Sequence, residues 1–109
     1  MKRGDIVTVA LQGDFGKPRP ALVLETDFLA PTRHVILCIG TGTLRDDVEP
    51  RRVLVNPSDA NGLRVPTQFQ VDKLVSAQRA KCGEVVGRLE GEAMEQVNRL
   101  LVVLLGLAD

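Results

Sequence analysis

The chain has 109 residues, enough for one domain, residues 1–109, with a core that needs no staples. Lys plus Arg and Asp plus Glu both number 14, so the formal charge is zero; this excludes nucleic-acid binding by overall basicity and leaves only binding at a local site. With one His, two cysteines (Cys38 and Cys82) in no Cys-x-x-Cys, and no apolar run longer than Leu100 to Leu105, the sequence offers neither a metal-ligand cluster nor a bilayer span.

The first predicted strand is Ile6 to Leu11, β-branched and set after a Gly-Asp turn signal. Gln12 to Pro20 is dense in Gly and Pro and reads as a loop. Ala21 to Glu25 is a second strand. Asp27 to Arg33 is a connection with room for one helical turn before Pro31, and His34 to Ile39 is a third strand, ended by Gly40-Thr41-Gly42-Thr43. Arg45 to Pro50 is a charged loop. Arg51 to Val55 is a short strand with the charges of an edge. After the turn chemistry of Asn56 to Gly62, Thr67 to Asp72 alternates strictly, so Thr67, Phe69 and Val71 are expected inward and Gln68, Gln70 and Asp72 on a solvated face. Leu74 to Ala77 and Gly83 to Leu89 are further short extended segments.

Glu92 to Leu105 is the one helix. Glu90 and Glu92 stand at its positive start, and Met94, Val97, Leu101, Leu104 and Leu105 recur at spacings of three and four. Leu100, Val102 and Val103 widen the apolar surface beyond one stripe. That extra surface fits burial in the chain's own core or packing against another chain. With aromatics at 3% and no Trp or Tyr, the core must be built from Val, Leu, Ile and Ala. Many short strands with Gly/Pro turns and one closing helix indicate a mostly β fold, a small barrel or strongly coiled sheet. The N-terminus lacks the apolar core of a signal peptide, so a soluble, cytoplasmic protein is expected.

Three polar segments lie beside these strands. In Lys17-Pro18-Arg19-Pro20 two prolines restrict the backbone around an arginine whose guanidinium fork matches a phosphate. In Thr41-Gly42-Thr43 glycine permits close approach and the hydroxyls are able to donate to phosphate oxygens, though the Lys-Ser/Thr ending of a P-loop is missing. Asp72, after Gln68 and Gln70, has the chemistry of a general base or of an acceptor for Arg19. Each segment is equally compatible with an ordinary exposed loop or strand face.

These segments also carry a resemblance. Arg3-Gly4-Asp5-Ile6-Val7, then Arg19-Pro20-Ala21-Leu22-Val23-Leu24, then Val71-Asp72-Lys73-Leu74 with Arg79-Ala80-Lys81, and finally Val86-Gly87-Arg88-Leu89, resemble the MazF/PemK toxins in order and spacing. The ending Leu104-Leu105-Gly106-Leu107 fits the family's close. The resemblance implies an SH3-like β-barrel with a C-terminal helix, shared with CcdB, and a homodimer. It implies a toxin of a type II toxin–antitoxin system: a metal-independent, sequence-selective endoribonuclease that needs no cofactor, cuts single-stranded RNA and is silenced by a cognate antitoxin protein.

By the same resemblance Arg19, Thr41 and Asp72 are the catalytic set, and Asp14, Phe15, Lys17, Thr43 and Gln70 contact RNA. Phe15 is the loop's stacking residue, and Asp14 is the nearest substitute for the His or Glu that many members carry before the arginine. Gly42 stands where the family often has Ser. Two rival functions share the fold: a gyrase inhibitor like CcdB, which relies on a C-terminal Trp-Gly-Ile where this chain ends Leu107-Ala108-Asp109, and a non-catalytic barrel that only binds its partner.

Overall fold

The computed structural model describes residues 1–13, 17–47 and 51–109, so the expectations for Asp14 and Phe15 lie outside the described residues, as does the end of the charged loop at 48–50. The elements are β1 (Asp5–Val9), β2 (Arg19–Val23), β3 (His34–Thr41), β4 (Arg52–Val55), β5 (Thr67–Gln78), a 3₁₀ turn (Arg79–Lys81), β6 (Cys82–Arg88) and α1 (Gly91–Leu104). The strands form one antiparallel sheet in the order β4-β5-β3-β2-β1-β6.

Alternation along the inner strands divides the apolar side chains between two cores. Ile6, Leu22, Leu24, Cys38, Val53, Val55, Phe69 and Val71 fill one, which α1 covers with Val97 buried and Ala93, Met94, Leu100, Leu101 and Leu104 packed around it. Val7, Val9, Ala21, Val23, Val35, Leu37, Ile39 and Ala77 fill the other, capped by Leu11, Val75 and Cys82. Burying both faces requires the sheet to curl into an open barrel. The edge strands β4 and β6 do not pair among the described residues. The loop after β4 spans the gap instead: the Arg88 N–H donates to the Ala60 carbonyl at 2.8 Å. Buried Asn61 holds that loop, accepting from the Ser58 and Leu63 N–H groups and donating to the Asn56 carbonyl. Gly87 makes the approach possible, since a Cβ there would meet the Asn61 carbonyl at 2.2 Å.

Several boundaries depart from the sequence reading for local reasons. β2 opens at Arg19, so the arginine belongs to a strand and not to the loop; proline is tolerated at a strand's first residues, and Pro20 pairs with Thr8. β3 runs through Gly40 to Thr41. The connection after β2 contains no helix; its turn is tied by the Arg3 N–H to Asp27 Oδ1 at 2.9 Å. The segments Thr67 to Asp72 and Leu74 to Ala77 are one twelve-residue strand, β5.

That strand contains the main irregularity of the sheet. Gly40 faces Phe69 and Cys38 faces Leu74, so two steps on β3 oppose five on β5. The bulge over 70–73 turns β5 from one core to the other: Phe69 and Val71 serve the helix-covered core, whereas Val75 and Ala77, an even number of residues later, serve the opposite one. The outer surface of α1 and its end stay open, with Val103, Leu105 and Leu107 more than half exposed. Both cysteines are free thiols, Cys38 buried and Cys82 half-buried.

Candidate active site

The bulge in β5 delivers polar side chains to the place where three strands end. Arg19, the first residue of β2, lines a pocket of about 320 Å³ with Leu11, Ile39, Gln70, Lys73 and Val75. Gln70 and Lys73 reach it because the bulge re-aims them; a regular strand would hold them in fixed alternation. Thr41 sits at the end of the neighbouring strand. Ala21 faces Ile39, and continuing that register brings the start of β2 beside the end of β3. Gly40 is the joint: a Cβ there would lie 2.7 Å from Thr67 Cγ2, 3.1 Å from Phe69 Cε1 and 3.2 Å from Pro20 Cγ. The residues on either side of Arg19 and Thr41 are therefore in packed contact.

Thr41 is buried, and its Oγ1 accepts from the Thr43 N–H at 3.1 Å, which turns the chain sharply out of β3. A network absent from the sequence reading then fixes this turn. Gln68 Oε1 accepts from the Arg45 N–H and from Arg52 Nη1, both at 2.9 Å, and Gln68 Nε2 donates to the Arg45 carbonyl at 3.0 Å. Arg52 also donates to the Thr43 carbonyl and, through Nη2, to Gln70 Oε1, each at 3.2 Å. One arginine on β4 thus ties the Thr41 turn to the bulge. The expected solvated face of Gln68 and Gln70 is corrected: both are buried, because Arg52 and the Arg45 backbone satisfy their amides. Arg52 faces Gln70 in the β4–β5 register, but only the fold reveals that two strands read separately from the sequence are neighbours.

The remaining expected residues divide. Lys17 and Thr43 are exposed, and neither lines the Arg19 pocket. Asp72 does not line the Arg19 pocket; its carboxylate is 4.0 Å from Arg51 Nε. It also lies close enough to Cys38 to add to the effect of burial, which pushes that thiol up to about 12. Beyond the Thr41 turn, a hydrogen bond from the Arg45 guanidinium holds the Asp47 carboxyl below its ordinary range. Lys73, missed in the sequence, is signalled there only by its place beside Asp72. Among the described residues no three His, Cys, Asp or Glu side chains group as a metal site.

The arrangement is an anion pocket with a rigid back. Arg19 and Lys73 supply positive charge and Gln70 an amide, and Thr41 ends the strand, β3, that pairs with the one carrying Arg19. A phosphate ester matches that chemistry. A family model described as the PemK-like, MazF-like toxin of type II toxin–antitoxin systems matches residues 2–105. A protein of Mycolicibacterium smegmatis named as a probable endoribonuclease MazF is 36% identical over 109 residues, spanning 99% of each chain. Among solved structures, a mycobacterial endoribonuclease in complex with its cognate antitoxin superposes with a TM-score of 0.79 at 22% identity, covering 98% of this chain and 96% of that one. The Mycobacterium tuberculosis toxin MazF-mt6 gives 0.78 at 21% identity, covering 94% and 96%. The structures bear out the barrel with its closing helix, the family model spans almost the whole sequence, and the chain belongs to the PemK/MazF family of type II toxin–antitoxin toxins.

Proposed function

We propose that this toxin is a metal-independent, sequence-selective endoribonuclease acting on single-stranded RNA in the cytoplasm, neutralised there by a cognate antitoxin. The observation that carries the reading is the pocket in which β2 and the β5 bulge bring together Arg19, Gln70 and Lys73. The likeness to a relative named for endoribonuclease activity supports it.

In the proposed reaction the ribose 2′-oxygen attacks the adjacent phosphorus and the bond to the 5′-oxygen breaks. A 2′,3′-cyclic phosphate and a 5′-hydroxyl result, the departing 5′-oxygen taking its proton from solvent water. Negative charge grows on the non-bridging oxygens in the transition state. Arg19 and the Thr41 hydroxyl stabilise it with donors fixed in advance by the packed Pro20–Gly40 joint. Lys73 holds the phosphate. Arginine is a poor proton carrier, so Arg19 acts electrostatically. Asp72, next to Lys73 in the chain but outside the pocket beside Arg51, is the candidate to take the 2′-hydroxyl proton in this reading. Replacing Asp72 by Asn lowers the rate by about 10²–10⁴ if it is that base; full activity removes it from the mechanism.

The exposed Val103, Leu105 and Leu107 at the end of α1, with Leu54 on β4, support a homodimer, and elution as a monomer at micromolar concentration would count against it. The central test is incubation of the protein with diverse long single-stranded RNAs in EDTA. Cleavage leaving cyclic phosphate ends is expected, with Arg19→Ala slower by about 10²–10³. Intact RNA after incubation with the unaltered protein overturns the reading.

A further inference from the structure

The Arg19 pocket has a neighbour across Leu11. On the far side of Leu11 a second cleft of about 230 Å³ opens, lined by Val9, Ala10, Leu11, Gln12, His34, Ser76, Ala77, Gln78 and Lys81. Leu11 lines both, and β5 runs between them; Leu74 to Gln78 spans about 13 Å at the usual rise per residue.

The charged residues described along this path are all basic. The described residues lining the two clefts include Arg19, Lys73 and Lys81 and no carboxylate. The chain as a whole is neutral, with 14 residues of each sign, so this is a local segregation. A third cleft, beside β2 and the start of the chain, shows the contrast. It contains Glu25 and Asp27, and its Arg79 is paired to Glu25 at 2.6 Å. Lys73 and Lys81 are exposed and form no ion pair among the described residues. The second cleft adds groups suited to a nucleotide. His34 presents an exposed imidazole at the start of β3, and Gln12 and Gln78 present amides able to pair with base edges.

We propose that the RNA strand continues from the Arg19 pocket across Leu11 into this second cleft, which is an outer nucleotide subsite: Lys81 takes a phosphate there and His34 stacks against a base. The inference rests on the endoribonuclease reading and deepens it. An acidic antitoxin segment has the same charge, but the continuity with the Arg19 pocket favours the strand that Arg19 holds.

The test uses the full-length toxin and its Lys81→Ala and His34→Ala variants. Both residues are exposed on the cleft rim, and an unchanged unfolding midpoint confirms that the variants fold. Binding is measured with 2′-O-methyl RNA, which cannot be cut. Cleavage is measured on a minimal RNA around the scissile bond and on the same RNA lengthened on either side. The variants are expected to weaken binding of the longer RNA about tenfold, and to raise KM for it equally. The minimal RNA should be cut at the unaltered kcat and KM. The slope of log affinity against log salt should fall by about 0.7 for Lys81→Ala, one phosphate contact on a single strand. Long RNA bound and cut equally well by the variants, with the same salt slope, overturns the subsite. So does weaker neutralisation by the antitoxin with RNA kinetics unaltered, which would assign the cleft to the protein partner. If the unaltered toxin cuts no RNA, the endoribonuclease reading itself fails, and the uncut 2′-O-methyl RNA still reports whether the cleft binds a strand.

Discussion

The strand end that carries Thr41 has a closed side and an open one. On the closed side Gly40 is wedged between Pro20, Thr67 and Phe69, Cys38 is fully buried two residues earlier, and Arg52 ties Gln68 and Gln70 together. On the open side, among the described residues, a Cβ at Gly42 would have only Val65 Cγ2 within reach, at 3.6 Å, and Thr43 is exposed. The closed side supplies rigidity and the open side supplies access. A site that must hold donors in place before charge develops needs both. Changes on the closed side should therefore appear first in stability, and changes on the open side only in RNA cleavage.

The sharpest way to break this division is Gly40→Ala. The added Cβ meets Thr67 Cγ2 at 2.7 Å, and Phe69 and Pro20 leave it nowhere to go. Overpacking of this kind costs about 3 kcal/mol at its upper end, and the strand that carries Thr41 is forced away from β5 first and from Pro20 next. Chemical denaturation should show the loss, and cleavage by the folded fraction should fall with it. An unaltered denaturation midpoint would mean that the joint is loose.

Cys38 tests the same side by pH. Burial, aided by Asp72, raises its thiol from 9.0 to about 12. The folded state thus disfavours the thiolate: the stability Cys38 contributes is complete below pH 9 and is lost as the pH rises towards 12. By about pH 10.5 the loss is roughly 2 kcal/mol. Denaturation midpoints of the unaltered protein should fall over that range more than those of Cys38→Ala. Parallel curves would mean that the thiol is not shielded.

How much of this was legible in the sequence follows from the kind of signal each feature leaves. The β-branched runs mark all six strands, and the spacing of Met94, Val97, Leu101 and Leu104 marks α1 to within a residue at each end. Arg19 and Thr41 stand out by resemblance. The bulge in β5 leaves no such mark. Phe69, Val71, Val75 and Ala77 all occupy odd positions, so period-two reading gives them one face, while the fold sends them to two. Gln68 and Gln70 mislead for a related reason: alternation says only that they oppose the apolar face, and what satisfies them comes from Arg52 and Arg45, which are distant in the chain. Lys73 and Lys81 line two clefts that share Leu11 only through the curl of the sheet.

Arg52→Leu probes that hidden network with a smaller effect. Gln68 Oε1 loses one of its two donors and keeps the Arg45 N–H, while Gln70 Oε1 and the Thr43 carbonyl lose the donor that Arg52 gave them. A cost of about 1 kcal/mol is expected, at the low end for unsatisfied groups. Cleavage should fall further than stability, because the bulge and the Thr41 turn lose their common tether. Equal losses in both would make Arg52 a stability residue alone.

The smallest effect belongs to the open side. Gly42→Ser places a side chain where, among the described residues, only Val65 is near, and no left-handed backbone conformation is required of residue 42. Stability should stay within about 0.5 kcal/mol. The new hydroxyl would stand beside Thr41 and Thr43 with the capacity to donate to a phosphate oxygen, so any change should appear in RNA kinetics and not in the denaturation midpoint. A large drop in stability from this variant would show that the Thr41 turn is as tightly packed as Gly40, and the division between a rigid back and an open front would no longer describe the site.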